Sequence, residues 1–299
     1  MTATILSENP LPGLPSASGV EIIGSVAYVI GDDSPVLYQL DSATLTPTGH
    51  ILLFDAGVEF VSGRLPKPNK PDLECMVALT WPDRRPGLLL LGSGSRPNRA
   101  RGWFVPTEAP APVPEAVDLA ALYALLAGYL PAGVVLNLEA AATTATELLL
   151  FQRTVGRADA ALLFVLPLAE TLAFLTSLTG ASPPAVHQLV FELPLIEGCP
   201  AGFSGATFAD GLLFVSASVE NTADAVLDGA VLGSFVGVVD VVAGTATLAR
   251  LAWADGRPYF GKVEGLAVRR QRAPGQFELL LVTDDDAGGS TAATAHLVL

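Results

Sequence analysis

Five copies of one short unit run along this 299-residue chain, and a five-fold repeat limits the fold more than any other feature. Each copy opens with Ser or Glu, continues with a small residue, and then gives two or three mostly apolar ones. The copies read Ser18-Gly19-Val20-Glu21-Ile22, Glu74-Cys75-Met76-Val77-Ala78, Glu139-Ala140-Ala141-Ala142-Thr143, Ser204-Gly205-Ala206-Thr207-Phe208 and Glu264-Gly265-Leu266-Ala267-Val268. Their leading residues lie 56, 65, 65 and 60 residues apart. A second apolar run follows each copy and ends in small or polar groups: Gly31-Asp32-Asp33, Ser93-Gly94-Ser95, Gln152-Arg153, Ser216 and Asp284-Asp285-Asp286. Turn signals such as Ile23-Gly24-Ser25, Ala209-Asp210-Gly211 and Ala273-Pro274-Gly275 separate the two runs.

Runs this short, bounded by Gly or Pro and rich in Val and Leu, read as β-hairpins and not as helices. About 60 residues per copy matches one four-stranded blade, so the expected fold is all-β, a five-bladed β-propeller. The blades are expected near 16–65, 66–130, 131–195, 196–258 and 259–299, in a single domain. The last copy lacks an outer strand, and the lone strand Thr2–Ser7 is expected to supply it, covering an otherwise open edge. After a Pro/Ala linker from Pro110 to Pro114, Asp118–Gly128 reads as one short helical insertion, with Asp118 as cap and Gly128 and Pro131 as stops.

Hydrophobic residues make up 51% of the chain and mean hydropathy is +0.49, which the short apolar runs account for as buried strands. The longest candidate span, Leu119–Leu130, is too short for a bilayer. The first residues show no basic stretch followed by an apolar one, and two cysteines, Cys75 and Cys199, make no disulfide framework. A reduced, cytoplasmic setting is therefore expected, with no membrane partner. A net charge of −14 argues against nucleic acid as a partner.

The first strand of each propeller blade lines the central channel, so Ser18, Glu74, Glu139, Ser204 and Glu264 should converge on one axis. Three carboxylates there repel one another unless one is protonated or a cation lies between them. The set offers oxygen only, which suits calcium, or less well magnesium, and not zinc. The same polar residues would also serve simply to line a water-filled channel. The histidines His50, His187 and His296 fall on strands away from the repeat positions, and the sequence carries no zinc-type spacing.

These five units resemble the calcium-activated nucleotidases, the apyrase family of five-bladed propellers with an axial calcium. In that family Ser, Glu, Glu, Ser and Glu, one per blade, point at the ion, and the same order stands here at Ser18, Glu74, Glu139, Ser204 and Glu264. Tyr28 with Asp32-Asp33, Leu149–Arg153, Gly202-Phe203-Ser204 and the Tyr123–Gly128 segment also look like their counterparts. The resemblance implies an axial calcium. It does not carry over nucleotide hydrolysis, because the family's acidic N-terminal stretch has no match upstream of Ser18 beyond Glu8.

The ends of the second strands should meet at the channel mouth. There Asp32, Asp33 and Asp285 are candidate catalytic bases, and Arg96, Asn98, Arg99, Arg153, Glu220 and Asn221 candidate substrate contacts. A cation beside several Arg side chains makes a pocket for a small anionic molecule, so the expected function is metal-dependent hydrolysis of a phosphate-type or lactone ester. The alternative is a non-catalytic propeller that the ion stabilises and whose top face binds a ligand or protein. Acidic residues before Gly or Ser also serve as ordinary turn formers. Gly92-Ser93-Gly94-Ser95 lacks the Gly-Lys-Ser/Thr of a phosphate loop, and no Gly-x-Ser-x-Gly elbow marks a nucleophile.

Overall fold

The computed structural model describes residues 1–55, 64–109, 111–153, 161–177, 180–221, 229–285 and 288–299. Pro110, at the start of the linker, and Asp286, in the acidic run near the C-terminus, lie outside the described residues. The chain opens with strand β1 (Thr2–Pro10), whose role appears only at the end. The first blade is then β2 (Ala17–Ile23), β3 (Val26–Gly31), β4 (Val36–Asp41) and β5 (Pro47–Leu52). The second is β6 (Leu73–Thr80), β7 (Pro86–Gly92), β8 (Arg101–Pro106) and β9 (Glu115–Asp118), followed by helix α1 (Ala120–Ala127). The third is β10 (Leu138–Thr143), β11 (Glu147–Gln152), β12 (Leu162–Pro167) and β13 (His187–Val190), with helix α2 (Leu168–Thr176) between its last two strands. A two-stranded hairpin, β14 (Leu195–Ile196) with β15 (Cys199–Pro200), leads into the fourth blade. That blade is β16 (Gly202–Ala209), β17 (Leu212–Asn221), β18 (Ala230–Asp240) and β19 (Thr245–Trp253). The fifth is β20 (Lys262–Ala273), β21 (Gln276–Asp284) and β22 (Ser290–Val298).

Strand β1 completes the fifth blade. It runs antiparallel to β22, with Thr2 opposite Val298, and its other edge pairs in parallel with β19 through Ala3 and Leu251. The fourth and fifth blades thus share one eight-stranded sheet. The innermost strands β2, β6, β10, β16 and β20 pack each against the next and close a ring, giving a five-bladed β-propeller.

Each gap between neighbouring blades holds its own apolar core. Strand β7 shows why the central strands are apolar throughout. Leu88 and Leu90 face the first blade, while Leu89 and Leu91 face the third. A strand buried on both faces has no polar side, and this is the physical source of the chain's high hydropathy.

Helix α1 lies within the expected segment, but its N-cap is Leu119, which gives no side-chain cap; Asp118 ends β9 and accepts the Ala120 N–H at 2.9 Å. Gly128 ends the helix in ordinary helical geometry (φ −67°), so no left-handed cap is used. Tyr123 donates its hydroxyl to the Gly92 carbonyl at 2.7 Å, pinning α1 over the end of β7. Helix α2 corrects the expectation of one helical insertion. Its core-facing Thr171 and Leu172 follow Pro167, but the surrounding Leu and Ala spacing reads equally as another apolar run. Cys75 and Cys199 are unbonded, and among the described residues no helix is long and apolar enough to cross a membrane.

Candidate functional site

The five leading residues occupy one structural position. In each blade the ladder between the first two strands skips one residue of the inner strand: Ser18, Glu74, Glu139, Ser204 and Glu264. Each is the extra residue of a β-bulge, which frees its side chain from strand alternation and re-aims it. Ser18, Glu74, Glu139 and Glu264 line a narrow opening together with Gly19, Gly205 and Gly265. Ser204 does not reach this opening, and its hydroxyl meets that of Ser216 at 3.2 Å. Ser18 donates to the Leu73 carbonyl of the next inner strand at 2.5 Å.

Two residues before each bulge stands a second ring of Ser16, Asp72, Asn137, Gly202 and Lys262. Opposite them are Ser218 and Asp284 on the second strands and, one residue past the strand ends, Asp32, Ser93 and Arg153, joined through Asp32 N–H to Ser16 O (3.1 Å), Ser93 N–H to Asp72 O (2.9 Å) and Arg153 N–H to Asn137 O (2.9 Å). Ser16 and Asp72 hold left-handed backbones at φ 45° and 56°. Gly202 leaves room for Arg153, since a Cβ there would lie 2.7 Å from the Arg153 Cγ.

The charged groups divide into two clusters. On the first and second blades Lys70 pairs with Asp32, and with Asp72 at 2.8 Å; Arg99 meets Asp72 at 2.6 Å, and Arg64 meets Asp33 at 2.5 Å. Asp32, Asp72 and Glu74 each offer an oxygen within 4.8 Å of the others. On the third to fifth blades Arg153 bridges Glu139 and Glu264, both at 3.3 Å, and also pairs with Glu220. Lys262 reaches Glu264 at 3.2 Å and Glu220 at 3.5 Å. The first cluster sets Asp32, Asp33, Asp72 and Glu74 against three cations, and the second sets Glu139, Glu220 and Glu264 against two. Each has one carboxyl group more than it has cations.

Proton affinities follow from this crowding. Burial, with Glu139, Asp72 and Asp32 nearby, pushes the Glu74 carboxyl well above the usual carboxylate range. Burial lifts Glu139 to about 7 although Arg153 opposes it, and lifts Asp32 to about 6 against the pull of Lys70. Burial works against the charge on Lys70 and Arg153, but the surrounding carboxylates outweigh it and hold both protonated. Asp32 Oδ1, Asp33 Oδ1 and Arg99 Nε are buried without a hydrogen-bond partner.

The other sequence candidates spread outward from these clusters. Arg96 is exposed, and Asn98 is tied to the Pro68 and Lys70 carbonyls at 3.2 and 3.4 Å. Asn221 is exposed beside Cys199. Asp285 is exposed and holds its own turn, accepting the Gly289 N–H at 2.7 Å. Lys70, Asp72 and Lys262 were not among the candidates. Asp72 and Lys262 were open to detection, because the position two before the bulge is polar in four of the five copies. Lys70 follows no repeat position.

A ring of five bulges around a polar, charged mouth defines the class: a five-bladed β-propeller whose axis carries titratable groups. Within that class the chain belongs to the family of unknown function DUF6929, whose model matches residues 13–297. Among curated proteins none matches the chain in sequence. Glutaminyl cyclase from Myxococcus xanthus superposes over 100% of this chain and 97% of its own, with a TM-score of 0.53 at 12% identity. At that identity the likeness is one of fold alone. Looser matches include a thermostable family-43 glycoside hydrolase (TM-score 0.48, 11% identity, 97% of this chain and 90% of that one). Another is the Cps50 (Swd1) propeller domain of Myceliophteria thermophila (TM-score 0.40, 11% identity, 99% and 100% covered).

Proposed function

We propose that this propeller binds a divalent cation, calcium by its oxygen-only donors, at the axis, and hydrolyses a small anionic ester at the mouth. The single observation that carries the reading is the bulge repeated in all five blades at Ser18, Glu74, Glu139, Ser204 and Glu264. The donors fit a hard cation. Glu74 accepts no hydrogen bond among the described residues, Asp32 Oδ1 is buried and orphaned, and each charge cluster has a carboxylate in excess.

Bound calcium would supply Lewis-acid polarisation of an ester oxygen and a more acidic water. The chain's own groups supply the rest. Arg96 carries no ion pair among the described residues and is exposed, so it can meet an incoming anion. Arg99 and Arg153 hold positive charge deeper in the mouth. Asp32, with its carboxyl near 6, can accept a proton close to neutral pH.

A second reading, a calcium-stabilised propeller with no catalysis, is favoured by one observation: Lys70, Arg99, Arg153 and Lys262 are all engaged in ion pairs within the chain. Thermal melts with chelator and then excess calcium test the shared claim, and the expected result is a lower Tm restored by calcium. A Glu74→Gln variant should lose most of the calcium response; a full response in that variant, or none in the wild type, refutes the site. Phosphate-ester and lactone hydrolysis with added calcium, in wild type and Asp32→Asn, then separates the two readings. Turnover that falls at least tenfold in the variant is expected for the enzyme.

A further inference from the structure

A shallow pocket of ≈ 540 Å³ opens where the loop after β19 meets β1, lined by Glu8, Trp253, Arg257, Pro258, Tyr259 and Phe260. None of these residues belongs to the two charge clusters. Tyr259 is buried and packs edge-on to Trp253, with ring centroids 5.8 Å apart at 76°. Phe260 is 61% exposed, the open wall of the pocket. The loop is held from beneath by Ser234, which donates to the Gly261 carbonyl at 2.8 Å and accepts the Val263 N–H at 3.2 Å. Gly261 is the only residue type that fits, because a Cβ would lie 2.3 Å from the Tyr259 hydroxyl oxygen.

That hydroxyl donates to Glu8 Oε1 at 2.6 Å, and the Thr291 hydroxyl donates to the same oxygen at 3.2 Å. Two donors fix the carboxylate, while Glu8 Oε2 accepts no hydrogen bond among the described residues. Arg257 also lines the pocket, and its charge is matched by Asp255, whose carboxylate accepts from its Nε at 2.7 Å. The pocket therefore joins aromatic faces, which carry negative quadrupole charge, to one oriented carboxylate oxygen. A hard metal ion would find one ligand and apolar walls, and an anion would meet Glu8. A cation with an apolar body gains from both.

We propose that this pocket binds a small organic monocation of the quaternary-ammonium type, its charge against Glu8 and its alkyl groups against Trp253 and Phe260. Choline chloride is a suitable probe, titrated against sodium chloride at matched ionic strength. Intrinsic fluorescence reads the site, since Trp81 and Trp103 are only 8% and 4% exposed and Trp253 alone lines the pocket. A saturable response is expected, with the neutral isostere 3,3-dimethylbutan-1-ol binding about tenfold more weakly. Phe260→Ala and Glu8→Gln should each weaken choline by roughly fivefold or more. Phe260 is exposed, so an unchanged Tm in its variant keeps a loss of binding from being a loss of fold. No saturable response, equal binding of the alcohol, or an unchanged Kd in Phe260→Ala overturns the proposal.

Discussion

Replacing Gly265 by alanine tests how closely the inner strands approach at the axis. Gly265 and Gly205 follow the bulge residues, and neither has a left-handed φ, so alanine is allowed by the local backbone. What forbids it is the neighbouring strand. A Cβ on Gly265 would lie 2.9 Å from Gly19 Cα and 3.0 Å from both Val20 N and Val282 Cγ2. A Cβ on Gly205 would lie 2.9 Å from Gly265 Cα and 2.7 Å from Ser216 Oγ. At Gly19, by contrast, the nearest atoms are two carbons of the Ile30 side chain at 3.2 Å, which a small rotation relieves. Backbone atoms of a paired strand have no such freedom. The methyl group offers about 0.8 kcal/mol of burial and some loss of unfolded-state entropy, about 0.4 kcal/mol or more. Overpacking against fixed atoms costs about 1–3 kcal/mol. These terms leave an expected net loss for Gly265→Ala of about 1 kcal/mol, with Gly19→Ala within about 0.5 kcal/mol of wild type. Calorimetry should show Tm falling by roughly 2 °C for the first and scarcely moving for the second. Equal shifts in the two variants would refute the idea that backbone contact sets the ring's diameter.

Arg153→Met should remove the guanidinium shared by Glu139, Glu220 and Glu264 and leave a buried excess of negative charge. In calcium-free buffer at pH 8 a loss of about 3–5 kcal/mol is expected from urea melts, shrinking at pH 5 where Glu139, raised by burial to about 7, takes up a proton; the same loss at both pH values would count against the network. Glu21, half-buried on β2, has its carboxyl pushed by burial from its ordinary 4.5 up to about 8. The native state therefore holds a proton that the unfolded chain has released, and stability present below about 4.5 is lost as pH climbs to about 8. Glu21→Gln, neutral at every pH, should match wild type near pH 4.5 and melt higher at pH 8.5, and a gap that stays constant across that range would contradict this.

The blades were legible because the spacing of the leading Ser and Glu residues is a property of one supersecondary unit used five times. Strand β1 was legible for a complementary reason, an unpaired terminal strand matched to a blade one strand short. Helix α2 was not, because Leu168–Thr176 carries a single charged residue, Glu170, and has no side-chain cap to separate it from a buried strand. At the mouth, sequence spacing found Asp32, Arg99, Arg153 and Glu220, which the structure brings into ion-pair networks. It did not reveal that Ser204 would turn toward Ser216, since a bulge aims the backbone while the rotamer answers to the nearest partner. Nor could it show that Arg153 of the third blade would reach Glu264 of the fifth, a contact between blades that the room beside Gly202 allows.

Strand β1 pairs Thr2 with Val298 on one edge and Ala3 with Leu251 on the other. The chain's two ends are thus neighbours in one ladder, and a tight two-residue turn could join them as an ordinary antiparallel hairpin. Circular permutation follows as an engineering route: the ring would be sealed by a covalent bond, and new ends could be cut at an exposed turn such as Ala209-Asp210-Gly211. In the native order, peeling the single strand β1 from this seam strips the edges of two blades at once. The rate at which β1 detaches would then set the lifetime of the closed ring.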